Sequence, residues 1–213
     1  MDSAPSMPTS THRDEGYIKF SFAHEAAPAP AHPRLHDLMR IRDDLHEWAL
    51  IGVLPEGIGY GNISARIAGT NRFIVTGSGT GLKFPVEPAH FCEVVAFDVG
   101  KNSVVCRGPL PASSESMSHG AIYAARPDAN SVIHIHDRLM FRLLIQEGAP
   151  WTPADAAFGT PEMARAVGRL AAALSPVGIM VMAGHEDGII AYGPDPQSAR
   201  DALWDVYARS RRE

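Results

Sequence analysis

The stretch SVIHIHD, residues 131–137, carries two histidines separated by one isoleucine inside an otherwise apolar run. Side chains alternate between the two faces of a β-strand, so His134 and His136 share one face while Ile133 and Ile135 share the other. Imidazole is the commonest metal-binding side chain, but two ligands do not complete a site. The pattern therefore fits two alternatives: core or edge histidines bonded to neighbours, or two ligands of a metal whose third ligand lies elsewhere.

A third imidazole and a carboxylate stand in other segments. His185 falls in AGHEDG, a predicted turn between two apolar strands, and taken alone it is typical of an ordinary turn histidine. Glu115 follows two serines in PASSE at a predicted helix start. It is either a first-turn acid stabilised by the helix dipole or a base or ligand near a metal. Ser113 and Ser114 either cap this helix or offer hydroxyl groups to a phosphate or carboxylate at its N-terminus.

Two glycine-rich turns add a different kind of contact. GYGNIS spans residues 59–64 and VTGSGTG spans residues 75–81. Such turns expose backbone N–H groups that can hold an anionic oxygen, although most of them are only tight turns. Each turn is weak evidence for a binding site when it is considered alone.

Composition excludes several classes of function. The chain has 213 residues and a formal net charge of −5, with no block rich in Lys and Arg. This argues against nucleic acid or a membrane surface as the main partner and favours a small ligand. No apolar run reaches the roughly eighteen residues of a membrane span, and the N-terminus does not resemble a secretory signal. Cys92 and Cys106 lack CxxC spacing, which is typical of reduced thiols. We therefore predict a cytoplasmic protein.

Periodicity predicts a single α/β domain with a central, mainly antiparallel sheet flanked by helices. Strand and turn signals alternate between residues 59 and 105, and a strand, turn and strand are predicted over 177–193. Predicted helices cover residues 33–50, 111–126, 137–148, 159–174 and 195–213. Thr160 with Pro161, and Asp195 with Pro196, are start signals for the last two helices.

The N-terminal part has a different composition. Residues 1–34 are rich in Pro, Ala and Ser and show little helical periodicity, so we interpret them as an arm preceding one domain at 35–213. Within the arm, the segment Tyr17–His24 alternates in the manner of a strand and predicts one edge strand.

Taken together, these segments resemble the class II aldolase/adducin family. The resemblance covers about residues 35–208 and is carried by GNIS, TGSG, SSE with His119 four residues later, RPDANSVIHIH, FGT and the late GH. The family includes fuculose-phosphate aldolase, ribulose-phosphate epimerase and methylthioribulose-phosphate dehydratase. Membership implies one α/β domain with a mostly antiparallel sheet, usually assembled as a C4 tetramer with active sites at subunit interfaces.

The resemblance also implies roles for individual residues. The family's acidic residue falls on Glu115, which in aldolase members approaches the metal and acts as acid and base. Its metal ligands, for Zn²⁺ or another divalent cation, fall on His134, His136 and His185. Its phosphate-binding positions fall on Asn62, Ser78, Gly79, Ser113 and Ser114.

The implied function is a metal-dependent lyase that cleaves a small hydroxy-carbonyl compound, with or without a phosphate group, through a metal-stabilised enediolate. The alternatives are a dehydratase or decarboxylase on the same scaffold, or an adducin-like interaction module without catalysis. A pure binding module has no need to keep three histidines and the acid, so their presence favours an enzyme.

Three departures from the family pattern stand out. HEDG separates His185 from Gly188 by two acids where the family usually has HG. LPASSE contains one residue more than the usual LPSSE. Residues 137–157 form a shorter segment than in aldolases, and LIQEGAPWTPADAA has no tyrosine where aldolases use one from a neighbouring subunit. The last departure argues against a standard sugar-phosphate aldolase.

Overall fold

The computed structural model describes residues 19–212. The predicted strand Tyr17–His24 therefore starts outside the described residues, and the strand observed there is β1, Ser21–Ala26. The remaining strands are β2 Gly52–Val53, β3 Gly59–Tyr60, β4 Asn62–Arg66, β5 Phe73–Thr76, β6 Phe91–Asp98, β7 Ser103–Gly108, β8 Ser131–His136, β9 Gly178–Val181 and β10 Gly188–Gly193. The helices are α1 Leu35–Glu47, α2 Ser116–Ala125, α3 Arg138–Gln146, α4 Pro161–Ala173 and α5 Pro196–Ser210.

Eight strands form one sheet in the order β1-β7-β6-β5-β4-β8-β10-β9. Neighbouring strands pair antiparallel except for β1, which lies parallel to β7 at the edge of the sheet. The short strands β2 and β3 form a separate hairpin. The predicted fold class, a mainly antiparallel sheet flanked by helices, is confirmed. An edge strand was predicted in this region, but its parallel pairing with β7 and the small hairpin were not indicated by the sequence patterns.

Helices cover both faces of the sheet and enclose two apolar cores. Side chains of α2 and α4 pack on one face, and those of α1, α3 and α5 pack on the other. Along β8, Val132 belongs to the first core, whereas Ile133 and Ile135 belong to the second. Strand alternation therefore turns His134 and His136 toward the α2 and α4 face. None of the helices in residues 19–212 combines the length and the apolar character that a membrane crossing needs.

Two helix starts follow the predicted signals, whereas other termini differ. Thr160 and Asp195 cap their helices by accepting backbone N–H bonds, as predicted. Helix α1 ends three residues before the predicted boundary at residue 50, because Ala49 adopts a positive φ of 57° that an α-helix cannot contain. Helix α2 has Glu115 at its N-cap and makes no side-chain cap hydrogen bond, so neither preceding serine acts as the cap.

Candidate metal centre

Strand β8 lies in the interior of the sheet, between β4 and β10. The register pairs His134 with Asn62 on one side and with Ile190 on the other, and it pairs His136 with Gly188. His134 is fully buried and His136 is partly buried. The sheet thus fixes both imidazoles on the same face, as strand alternation predicts.

His185 comes from the turn that joins β9 and β10. The turn is closed by backbone hydrogen bonds from His185 N to Met182 O and from Gly188 N to His185 O, each 2.9 Å long. The preceding residue, Gly184, packs so tightly that a Cβ atom there would lie 1.9 Å from the carbonyl oxygen of Ala156. Only glycine fits this approach, which holds the turn and its histidine against the neighbouring loop.

The structure brings the three histidines together. Their ligand nitrogens all lie within 4.8 Å of one another, in an arrangement that could hold a metal ion. The Nε2 atoms of His134 and His136 are 3.0 Å apart. Two nitrogens bound at 2.0–2.1 Å to a tetrahedral Zn²⁺ are separated by roughly 3.3 Å, so the observed spacing is close to what such an ion needs. The ring of His185 lies 4.5 Å from that of His136 and 5.0 Å from that of His134, centroid to centroid.

The tautomer of His134 suits metal binding. Its Nδ1 lies 3.1 Å from the carbonyl oxygen of Ile189, and because a carbonyl only accepts, Nδ1 carries the proton. The Nε2 lone pair of the neutral ring then faces the other two histidines. Burial, and next the positive charges that His136 and His185 would carry, hold the pKa of His134 well below its usual value. The ring is therefore neutral, which is the form that ligates a metal.

Glu115 lies beside this cluster and is buried, with 1% of its surface exposed. Its Oε1 is 3.9 Å from Nδ1 of His185. Its Oε2 accepts a 2.7 Å hydrogen bond from the hydroxyl of Ser118, one helical turn later in α2. The structure therefore places the predicted acid next to the predicted metal ligands. The contribution of Ser118 was not predicted, although its i+3 spacing from Glu115 is visible in the sequence.

His119 leads away from the cluster into the core. It is fully buried, and its Nδ1 is 2.7 Å from Oγ of Ser64, which is also 2.7 Å from the hydroxyl of Tyr123. Within the described residues, Nε2 of His119 has no hydrogen-bond partner. Burial lowers the pKa of His119 to about 3, so this imidazole is neutral near neutral pH.

Two aromatic rings wall the centre. Phe158 of the FGT segment stacks on His185 with centroids 4.4 Å apart and planes inclined by 17°, and the ammonium of Lys19 lies 3.8 Å from the centroid of the Phe158 ring. On another side, the Tyr60 ring lies 5.7 Å from that of His136. The hydroxyl of Tyr60 donates to the carbonyl of Ala49 at 3.2 Å. Because its hydroxyl is engaged there, Tyr60 contributes its ring as a wall of the centre.

A cavity of about 280 Å³ opens next to the histidines. Its lining comes from Gly57–Gly61, Gly77–Gly81, Ser113 and Ser114, so Tyr60 borders both the cavity and His136. The two distant loops meet because Gly77 bridges to Ala112 and because Ser78 N donates to Pro111 O at 2.8 Å. The additional residue in LPASSE is therefore part of the contact that joins the loops.

Four of the five predicted phosphate-binding residues line this cavity, namely Ser78, Gly79, Ser113 and Ser114. The fifth, Asn62, is buried behind them and donates from Nδ2 to Oγ of Ser113 at 2.9 Å. Asn62 thus reaches the cavity through Ser113 and not by lining it. The acids of the HEDG turn, Glu186 and Asp187, are partly buried, and Asp187 accepts at its carbonyl from the backbone N–H of Asp137.

The family profile described as Class II Aldolase and Adducin N-terminal domain matches residues 56–209, which is more than half of the chain. The chain belongs to the class II aldolase and adducin family. A search of curated proteins by sequence finds no match.

Several solved structures with a similar fold are described as aldolases or candidate aldolases. L-fuculose-1-phosphate aldolase from Thermus thermophilus shares 20% identity at a TM-score of 0.61, with 83% of this chain and 90% of that chain covered. A sugar-phosphate aldolase from Thermotoga maritima shares 13% identity at a TM-score of 0.61, covering 82% and 90%. YgbL from Escherichia coli, described as a candidate aldolase, epimerase or decarboxylase, shares 15% at 0.61, covering 83% and 86%. At these identities the likeness establishes the fold of a class II aldolase.

Proposed function

We propose that this class II aldolase family member is a metal-dependent lyase of the aldolase type that cleaves a small hydroxy-carbonyl compound. The observation that carries the proposal is the convergence of His134, His136 and His185, with ligand nitrogens within 4.8 Å, beside the buried carboxylate of Glu115. A buried carboxylate beside three clustered imidazoles is costly to assemble unless a cation completes the site.

The three histidines would hold Zn²⁺ or another divalent cation and leave a coordination position for substrate. When bound, such an ion supplies Lewis-acid stabilisation of the enediolate that forms when a carbon–carbon bond next to a carbonyl breaks. The carbonyl of Ile189 keeps Nε2 of His134 unprotonated, and Phe158 holds the ring plane of His185. These contacts orient the ligands before any cation arrives.

Glu115 is the proposed acid and base. Its carboxyl group would give a proton to the carbon of the enediolate in the cleavage direction, and would remove that proton in the condensation direction. Ser118 donates to Oε2 at 2.7 Å, which supports the ionised form and leaves Oε1 on the side of His185. The carboxylate is thus held in one rotamer at the edge of the metal centre.

The cavity next to the histidines is the proposed site for the remainder of the substrate. Glycine-loop amides and the hydroxyl groups of Ser78, Ser113 and Ser114 suit an oxyanion, and Gly79 keeps a φ of +75° that favours glycine. The T. thermophilus and T. maritima structures are of sugar-phosphate aldolases by their descriptions. We therefore propose a phosphorylated hydroxy-ketone or hydroxy-aldehyde as the first substrate class to test.

The same residues also fit a dehydratase or a decarboxylase, because both reactions pass through a carbanion next to a carbonyl. YgbL, with a similar fold, has a decarboxylase among its alternatives. Products separate these reactions, since cleavage gives two carbonyl compounds, dehydration gives water and an unsaturated product, and decarboxylation gives carbon dioxide.

The test is a metal analysis followed by a substrate screen on the full-length protein. Wild type should retain about one divalent ion per chain after dialysis. It should then release an aldehyde from one or more members of a panel of phosphorylated and free hydroxy-ketones. The variant His185→Ala should lose both the metal and the activity, whereas His36→Ala, which removes an exposed histidine of α1, should lose neither. Retention of metal and activity by His185→Ala contradicts the proposal, and metal binding without turnover on any compound favours an interaction module.

We also propose that the protein works as a cytoplasmic homotetramer, with residues 1–34 acting as an arm on the domain at 35–213. The two buried free thiols, Cys92 and Cys106, fit a reducing compartment. All six residues of β1 are exposed, and within residues 19–212 its outer edge has no partner strand. An open edge of this kind suits contact with a neighbouring subunit. Sedimentation at micromolar protein should give the tetramer mass, and a monomer would contradict the assembly.

A further inference from the structure

Arg42 is a buried cation that none of the roles above explains. It lies in α1 among core residues, and only 1% of its surface is exposed. One guanidinium nitrogen, Nη2, donates to the carbonyl oxygens of Thr80 at 2.8 Å and Gly81 at 3.0 Å. An arginine in a helix's apolar stripe is costly to bury, so a specific structural or functional gain must offset that cost.

Both acceptors belong to the glycine loop Gly77–Gly81 that lines the cavity. None of the cavity-lining residues in the described part of the chain carries a charged side chain. The guanidinium of Arg42 is therefore a positive charge bound directly to the cavity wall, although Arg42 does not line the cavity itself. A single peptide layer joins the charge to the lining residues.

The two carbonyl contacts also fix the direction of the neighbouring amides. In a trans peptide the C=O and N–H point in opposite directions, so the Thr80 carbonyl that accepts from Arg42 directs the N–H of the cavity-lining residue Gly81 away from the guanidinium. Within residues 19–212, no acceptor is found for the backbone N–H groups of Gly79, Thr80 and Gly81. Consecutive free amides at a cavity form an anion-binding concavity.

The charge persists at neutral pH. Burial lowers the pKa of Arg42 from its ordinary value, and Asp43, whose Oδ1 is 3.7 Å from Nη1, raises it again. A guanidinium with these opposed influences stays protonated near neutral pH. Asp43 also offsets part of the positive potential, while its Oδ1 accepts a 3.1 Å hydrogen bond from the backbone of Val86.

We propose that Arg42 is a positioning residue that holds the glycine loop with its amides facing the cavity and supplies the positive potential for the phosphate group of the substrate. The proposal rests on the proposed function, in that the cavity belongs to the same site. What it adds is that the site's affinity for phosphate depends on the charge of Arg42, because a nearby buried cation favours a dianion over a neutral or singly charged group. A purely structural arginine would fasten the loop without making its anion affinity depend on charge.

The experiment measures binding of inorganic phosphate by calorimetry to the full-length protein stripped of metal on a chelating resin, so that phosphate cannot bind a metal. Acetate serves as the singly charged comparison. Arg42→Met should weaken phosphate binding by about tenfold or more, and Arg42→Lys, which keeps the charge, should weaken it less. Asp43→Asn keeps the acceptor for Val86 but removes the opposing charge, so it should strengthen phosphate binding.

The matched control is Arg40→Met, which removes an arginine from the exposed side of the same helix, where it pairs with Asp44 at 3.4 Å. Phosphate affinity should not change in this variant. The proposal is overturned if wild type does not bind phosphate or prefers acetate, if folded Arg42→Met binds phosphate as wild type does, or if Asp43→Asn weakens binding. Should Arg42→Met not fold, Arg42→Lys and Asp43→Asn still decide the sign of the charge effect. Because turnover is not measured, a failed lyase proposal and a failed role for Arg42 give different results.

Discussion

Gly184 offers a direct test of how the fold positions the third histidine. Alanine at this position would place its Cβ 1.9 Å from the carbonyl oxygen and 2.6 Å from the carbonyl carbon of Ala156. Both contacts are to backbone atoms, so no side chain can rotate to relieve them. The turn that carries His185 and the loop that carries Ala156 must therefore move apart.

The size of this movement follows from the contact distances. Van der Waals contact begins at roughly 3.4 Å, so the two backbones must separate by about 1.5 Å along this line. Metal–ligand distances in well-formed sites stay within about 0.2 Å of their usual values. If even a fraction of the 1.5 Å separation is passed on to His185, metal binding should weaken. We expect Gly184→Ala to reduce metal affinity by roughly 10- to 100-fold, the range found when the support of a ligand is lost. Overpacking should also lower the free energy of unfolding by about 1–3 kcal/mol.

The assay is competition for Zn²⁺ between the protein and a chromophoric chelator, combined with thermal unfolding of the metal-free protein. The control is Gly100→Ala, in the β6–β7 turn, where the nearest atom to a new Cβ is the carboxylate Oδ1 of Asp98 at 3.3 Å. That carboxylate can rotate away, so metal affinity should stay at the wild-type value. If folded Gly184→Ala binds Zn²⁺ as tightly as wild type, the close approach at Ala156 does not position His185, and the reasoning is refuted.

Three further outcomes are expected. Glu115→Gln keeps the side-chain shape but removes the base, so turnover should fall by roughly 10²-fold while the protein stays folded; wild-type turnover would mean that the proton moves elsewhere. Ser118→Ala removes the hydroxyl that donates to Glu115 at 2.7 Å, a hydrogen bond worth about 1.5–3 kcal/mol when the acceptor is charged. The kcat should fall roughly tenfold, and Ser118→Thr, which keeps the hydroxyl, should restore it. Folding lowers the pKa of His119 from 6.5 to about 3. Between these two pH values the unfolded chain binds a proton at His119 and the folded protein does not. The contribution of His119 to the free energy of unfolding is therefore present above pH 6.5 and is lost as the pH falls toward 3. Urea unfolding from pH 8 to 4.5 gives the free energy of unfolding as a function of pH. Its slope against pH should be smaller in His119→Asn than in wild type, by about 1.4 kcal/mol per pH unit at most, and equal slopes would contradict the buried neutral state.

Local patterns determined much of the architecture from the sequence. The Thr160–Pro161 and Asp195–Pro196 signals mark two helix starts because capping is settled within one turn of the chain. The alternation in SVIHIH placed His134 and His136 on one face because the side-chain period of a strand is two wherever the strand lies. Such features depend on neighbours within a few residues, so they can be predicted without knowing the fold.

The resemblance to a known family supplied what local patterns could not. Nothing in AGHEDG alone marks His185 as a ligand, since its partners stand about fifty residues earlier. The antiparallel pairing of β10 with β8 sets Gly188 opposite His136 and so carries the turn to the two strand histidines. The edge strand β1 shows the limit of pairing rules, because its parallel register with β7 depends on where a long connection returns the chain.

Only the tertiary structure decided which residues support the site without lining it. Helical periodicity places Arg42 in the buried stripe of α1, although an arginine is expected to face water. The two carbonyl groups that accept its hydrogen bonds stand nearly forty residues away in the sequence. The same holds for Asn62, whose partner Ser113 stands 51 residues later in the chain, and for Gly184, whose requirement for glycine comes from Ala156. Close packing decides these positions, because the free energy of a buried polar group or a tight backbone contact depends on atoms that the fold brings together from distant parts of the chain.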